Sequence, residues 1–151
     1  MSITFANVDA SFELKEAEKI KKWIETVVKG HGKRVGRIAY RFCTDKTMWE
    51  TNVSFLNHDT FTDIITFDST SGNIVSGDII ISIDRVVDNA AIFNVSFEKE
   101  LCRVLIHGVL HLLGFKDKSE PDEALMRKQE DESLLCLASL FPEISASFNV
   151  K

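Results

Sequence analysis

One short segment, His107, Gly108, His111, Gly114 and Asp117 in that spacing, constrains this chain more than any other. Four residues of α-helix turn through about 400° and rise about 6 Å, so the two imidazoles leave one face of one helix. Leu101, Val104, Leu105 and Leu112 recur on the same helix. It must therefore pack into a core while presenting both rings. Gly114 permits the left-handed turn that ends a helix and reverses the chain. Asp117, ten residues after His107, then falls where a reversed chain can reach the rings. Two ring nitrogens and one carboxylate oxygen make three ligands for a divalent metal. Three ligands leave a coordination position open, as in catalytic rather than structural zinc sites. Each part alone has a plainer reading, as hydrogen-bonded core histidines or as a surface carboxylate between Lys116 and Lys118. The whole pattern, H-x3-H-x2-G-x2-D, is more specific and repeats a metzincin-like spacing.

The segment departs from the zinc peptidases at one position. Their general base is a glutamate directly after the first histidine. Gly108 stands there instead and has no side chain to accept a proton. This lowers the expectation of peptide hydrolysis.

The rest of the chain supplies a scaffold. Residues 12–29 carry Leu14, Ala17, Ile20, Trp23, Ile24, Val27 and Val28 at helical spacing, and Gly30 and Gly32 stop the helix. Residues 37–43 alternate apolar and basic side chains and predict a half-buried strand. Further strands are expected at 51–56, 64–67 and 78–83, with a weaker one at 2–6 and a loop at 68–73. A short helix is expected from Asp84 to about Phe93. Ser96 is a fitting N-cap for the histidine helix, with Glu98 and Glu100 in its first turn. A last helix begins near Pro121 and reaches about Leu140. Strands come early and helices late, which predicts an α+β fold: a small mixed β-sheet with helices packed on it and the histidine helix at its centre. At 151 residues the expectation is one domain, 1–151.

Composition narrows the setting. No apolar run approaches the length that spans a bilayer, and the first residues lack the pattern of a signal peptide. Three scattered cysteines, Cys43, Cys102 and Cys136, fit reduced thiols better than a disulfide framework. A cytoplasmic protein without membrane partners is expected. Charge is uneven: residues 1–50 carry 10 basic and 7 acidic side chains, and the remainder 8 and 16. Lys29, Lys33, Arg34, Arg37 and Arg41 follow one another with no acidic residue between them. Such a patch can bind a polyanion even on an acidic protein, because phosphate contacts act over a Debye length. It can equally be a solvated turn and a charge-protected edge strand.

With these residues in view, the chain resembles the YbeY family of bacterial proteins. The family signature H-G-x-L-H-L-x-G-[YF]-x-[HD] is met by His107, Gly108, Leu110, His111, Leu112, Gly114, Phe115 and Asp117. A second block is matched by Asn52 and then Thr62, Asp63, Ile64, Ile65, Thr66 and Phe67. A third, G-D-I-x-I, runs from Gly77 to Ile81. The resemblance covers roughly residues 35–120. It implies a zincin-like fold and a metal-dependent, single-strand-specific endoribonuclease. Such an enzyme acts in maturation of the 3′ end of small-subunit ribosomal RNA and in ribosome quality control. It implies ribosomal RNA and the small ribosomal subunit as partners, with no DNA. Two positions depart from the family pattern. Members commonly place a third histidine where this chain has Asp117. Many also carry an arginine four residues after the matched asparagine, where this chain has Leu56.

Zinc is the first expectation for the metal, and the carboxylate oxygen admits manganese or iron. Near the triad, Asp63, Asp78 and Lys116 are candidates to assist the reaction. Their plainer roles are as loop or strand-end caps and a solvated surface charge. Lys29, Lys33, Arg34, Arg37 and Arg41 are candidates to grip RNA, with Arg85 a further possible cation. Phe61 or Trp49 are candidates to stack a base, although aromatic residues are more often core. His58 is a candidate acid or base in a loop, and His31 reads as part of the basic turn. Two other function classes remain: a ribosome-associated module that binds metal without catalysis, and a minimal zinc peptidase.

Overall fold

The structure, a computed structural model, describes residues 1–56 and 62–149. Its elements in chain order are β1 (Ser2–Asn7), α1 (Ala17–Gly30), β2 (Arg34–Cys43), α2 (Asp45–Leu56), β3 (Ile64–Asp68) and β4 (Ile74–Ser82). These are followed by α3 (Ile83–Phe93), α4 (Phe97–Leu112), α5 (Glu120–Leu140), α6 (Pro142–Ala146) and a 3-10 turn at Ser147–Asn149. The four strands form one mixed sheet in the order β1-β2-β4-β3. β1, β2 and β4 run parallel, and β3 is the antiparallel edge strand beside β4. This is the α+β architecture expected from the sequence.

Strand alternation sends the two sides of the sheet to different tasks. Ile38, Tyr40 and Phe42 of β2, with Ile79 and Ile81 of β4, point into the main core under α1 and α4. Arg37 and Arg41, out of phase with them, are exposed on the opposite side. There they flank Asp78 at 3.5 and 3.7 Å. Tyr40 is fully buried and donates its hydroxyl to the Leu105 carbonyl at 2.8 Å, which fixes α4 on the sheet. Trp23, also fully buried, donates from Nε1 to the Ser133 carbonyl at 2.7 Å and fixes α5 against α1. α4 touches α1, α3, α5, β3 and β4, so the histidine helix is central.

Two expectations need correction. Residues 51–56 are not a strand: they are the last turns of α2. Met48 and Asn52, four residues apart, are both buried, and Met48 joins a second apolar cluster with Cys43 and Ile65. The helix is started from a distance. The Asp9 carboxylate accepts from the Thr44 backbone N–H at 2.9 Å and from the Thr44 and Thr47 hydroxyls at 2.7 and 2.6 Å. Residues 12–16 are not part of α1, which begins at Ala17. Glu16 adopts a left-handed conformation there (φ 59°). Phe12 instead packs edge-on against Phe42 and Phe97. No helix among the described residues is long and apolar enough to cross a membrane.

Candidate metal centre

α4 is built to hold its last two turns still. Ser96 caps it, its hydroxyl accepting from the Lys99 N–H at 3.2 Å, and Glu98 and Glu100 occupy the first turn. At the other end the Phe115 N–H reaches the Leu110 carbonyl at 3.0 Å, and the Gly114 N–H reaches the His111 carbonyl at 2.9 Å. This is the paired bonding of a Schellman cap. Gly114 sits at φ 102°, a conformation side-chain-bearing residues rarely adopt. The reversal returns Asp117 to the histidines.

His107 Nε2 and His111 Nε2 are 3.0 Å apart, and each lies 3.2 Å from Asp117 Oδ2. A tetrahedral ion with ligands at about 2.0 Å has ligand–ligand edges of about 3.3 Å, so the triangle has the right size. The chemistry of the donors fits as well. His107 Nδ1 lies 2.6 Å from Glu130 Oε2. The Glu130 carboxylate is buried. Burial opposes its charge, but the hydrogen bond from His107 and the nearby Arg103 guanidinium together hold it below the usual carboxylate range. An ionised carboxylate only accepts, so His107 donates from Nδ1 to Glu130, which leaves Nε2 as the ring atom that faces Asp117. Two ring nitrogens and a carboxylate oxygen converging at this separation could hold a metal ion.

Glu130 is anchored in turn. Arg103, one turn before His107, reaches Glu130 at 3.3 Å, Glu100 at 2.6 Å and Asp63 at 3.6 Å. Burial disfavours the Arg103 charge, yet the carboxylates of Glu100, Glu130 and Asp63 raise its pKa further above the ordinary value. The line Arg103–Glu130–His107 therefore behaves as one ordered unit from α4 to α5. Sequence reading missed both Arg103 and Glu130. Arg103 had a signal, since it precedes His107 and His111 at steps of four. Glu130 had none, being 23 residues from His107 on a separate helix.

Two of the three triad residues, His107 and Asp117, open on a cleft of about 450 Å³ between α4 and α5, lined also by Arg103 and Glu130 and by α5 residues including Glu123 and Arg127. Other sequence candidates lie elsewhere. Among the described residues, Asp63 reaches the site through Arg103. Asp78 is on the opposite side of the sheet, between Arg37 and Arg41. Lys116 is exposed beside Asp117 and does not line the cleft. Lys29 and Lys33 flank the turn after α1, and Arg34 begins β2. Arg37 and Arg41 lie on the far side of the sheet beside Asp78, whereas the turn that holds Lys29 and Lys33 comes near the triad loop, where His31 meets Phe115. Arg85 is engaged by Asp45 at 3.0 Å. Trp49 lies part-exposed on α2, and His31 packs edge-on against Phe115. His58 and Phe61 lie outside the described residues.

Gly108 has a structural reason to lack a side chain. A Cβ there would lie 2.9 and 3.0 Å from two atoms of Ile79 and 3.1 Å from Ile64. The position after the first histidine faces the sheet at van der Waals contact, so the peptidase glutamate has no room.

The family model described as Endoribonuclease YbeY matches residues 4–138. A relative named Endoribonuclease YbeY from Flavobacterium johnsoniae is 51% identical over 128 residues, covering 85% of this chain and 92% of its own. One of the same name from Parabacteroides distasonis is 40% identical over 137 residues, covering 91% and 96%. The solution structure of TM1509 from Thermotoga maritima matches with a TM-score of 0.65 at 27% identity, covering 94% of this chain and 93% of that one.

Proposed function

Because this chain belongs to the endoribonuclease YbeY family, we infer that it is a metal-dependent hydrolase that cuts single-stranded RNA at internal phosphodiester bonds. Its substrate is ribosomal RNA, its step is maturation of the 3′ end of the small-subunit RNA, and its setting is the small ribosomal subunit in the cytoplasm. The observation that carries the reading is the convergence of His107, His111 and Asp117 at 3.0 to 3.2 Å, beside a cleft that His107 and Asp117 line.

Each residue has a definable part. His107 and His111 offer neutral nitrogen donors, and Asp117 offers a charged oxygen. A divalent metal held there, zinc in the first instance, supplies Lewis-acid polarisation of the phosphoryl group and makes water more acidic. Glu130 orients His107. Both Glu130 oxygens are occupied by His107 and Arg103, so Glu130 is not free to act as a base. Asp63 steadies Arg103. The packing of Gly108 against Ile79 and Ile64 argues against a peptidase.

The test replaces His111 with Ala and confirms the fold by circular dichroism. Wild type should cleave single-stranded ribosomal RNA and stop when a chelator is added, and H111A should be inactive. Cleavage by H111A equal to wild type refutes the reading. Casein should remain intact with either protein.

A further inference from the structure

Charge alone makes the triad cleft a poor host for an RNA backbone. Glu120 and Glu123 line it beside Asp117 and Glu130. Arg103 also lines it, but its guanidinium is taken up by Glu100, Glu130 and Asp63. A phosphodiester approaching the triad therefore passes carboxylates before it meets the metal position, and it needs a cation that is not already neutralised.

Arg127 is such a cation. It sits on α5 one turn before Glu130, it lines the same cleft as His107 and Asp117, and it is exposed. Among the described residues it forms no ion pair and no side-chain hydrogen bond. Ala124, one turn earlier on the same wall, presents only a methyl group and leaves space beside it. A guanidinium with its donors unengaged matches a phosphate both in charge and in fork geometry. α5 is also fixed to the body of the molecule through Trp23 and Glu130, so this cation is carried on a rigid wall.

Resting on the reading of this cleft as the RNA-cutting site, we propose that Arg127 forms a phosphate subsite. It grips a backbone phosphate neighbouring the one at the triad. Arg127 acts on substrate affinity and leaves the metal ligands untouched.

The experiment measures binding of a short fluorescent single-stranded RNA, made with phosphorothioate linkages to slow cleavage, across a range of salt. DNA of the same sequence is measured in parallel. R127A should weaken RNA binding on the order of tenfold, the scale of one lost charge-assisted contact. It should also reduce the slope of log affinity against log salt by about 0.7, the value for one phosphate contact on a single strand. R127K should keep the slope. In cleavage assays R127A should raise KM with little change in kcat, and metal affinity by chelator competition should equal that of wild type. Equal losses for RNA and DNA assign the contact to phosphate and support the proposal. R127A with wild-type affinity and salt slope overturns it, as does R127K losing the slope like R127A. H111A run alongside separates the two levels. Cleavage by H111A sinks the nuclease site itself, whereas inactive H111A beside an unaltered R127A sinks only the subsite.

Discussion

Glu130 shows how much of a three-ligand site lies outside its ligands. His107 can offer Nε2 only while its proton is held on Nδ1, and the buried Glu130 oxygen at 2.6 Å holds it there. Replacing Glu130 with Gln keeps the shape and removes the charge. The amide can also present its NH2 to Nδ1, which turns the ring toward the wrong tautomer. Loss of such an outer partner costs about 10- to 100-fold in metal affinity. E130Q should therefore bind zinc more weakly by that factor in competition with a chromogenic chelator, and the metal-free variant should melt below metal-free wild type because Arg103 loses a buried partner. An unchanged zinc affinity would remove Glu130 from the metal site. The contrast with Asp117 is instructive. Asp117 was legible because Gly114 and the two histidines are its sequence neighbours. Glu130 becomes the partner of His107 only through the docking of α5, which Trp23 helps to hold.

At the scale of elements, the seam between α4 and the sheet decides what the signature glycine means. A Gly-to-Ala change inside a helix ordinarily gains up to about 1 kcal/mol. At Gly108 the new methyl would lie 2.9 and 3.0 Å from two atoms of Ile79, which is fully buried, and 3.1 Å from Ile64. Overpacking of this kind costs about 1 to 3 kcal/mol, so the clash wins. G108A should unfold at lower urea than wild type, and a gain in stability would show that the seam has slack. α2 makes the opposite point about legibility. Thr51, Asn52, Val53 and Phe55 read as strand by composition, yet the segment is helix, and its start is held from distant parts of the chain: Asp9 binds Thr44 and Thr47, and Asp84 accepts from the Asp45 N–H at 2.8 Å. The hydrogen bonds from Thr47 and Thr44 lower the Asp9 pKa below its ordinary value. A carboxyl depressed on folding stabilises the protein above its unfolded pKa, about 3.9. That stabilisation is lost as pH falls through the folded pKa. D9N should thus be less stable than wild type at neutral pH. The gap should close in urea titrations as the buffer is taken below about pH 4. A gap that persists undiminished in acid would assign the effect to packing instead. By contrast, α4 and its reversal could be read directly, because periodicity, cap and glycine all lie within the segment itself.

At the scale of the whole molecule, the triad joins α4 to the turn that leads into α5, so an ion bound there braces the two helices that wall the cleft. Among the described residues, His107, His111 and Asp117 form the one group of three such side chains whose ligand atoms converge. An ion that binds the folded chain and not the unfolded one stabilises by RT ln(1 + [L]/Kd), about 2.7 kcal/mol at a hundred times Kd. For a chain of this size each kcal/mol raises the melting temperature by about 2 to 4 °C. Zinc added to chelator-stripped protein should then raise Tm by about 5 to 10 °C. A chelator should reverse the shift. H111A should melt near the stripped wild type and respond to zinc far less. Manganese and iron(II), tested in the same way, rank the alternatives that the Asp117 oxygen admits. A wild-type Tm indifferent to all three metals would mean that the triangle holds no ion. The convergence would then be a hydrogen-bonded core cluster, the plainer reading of the two histidines.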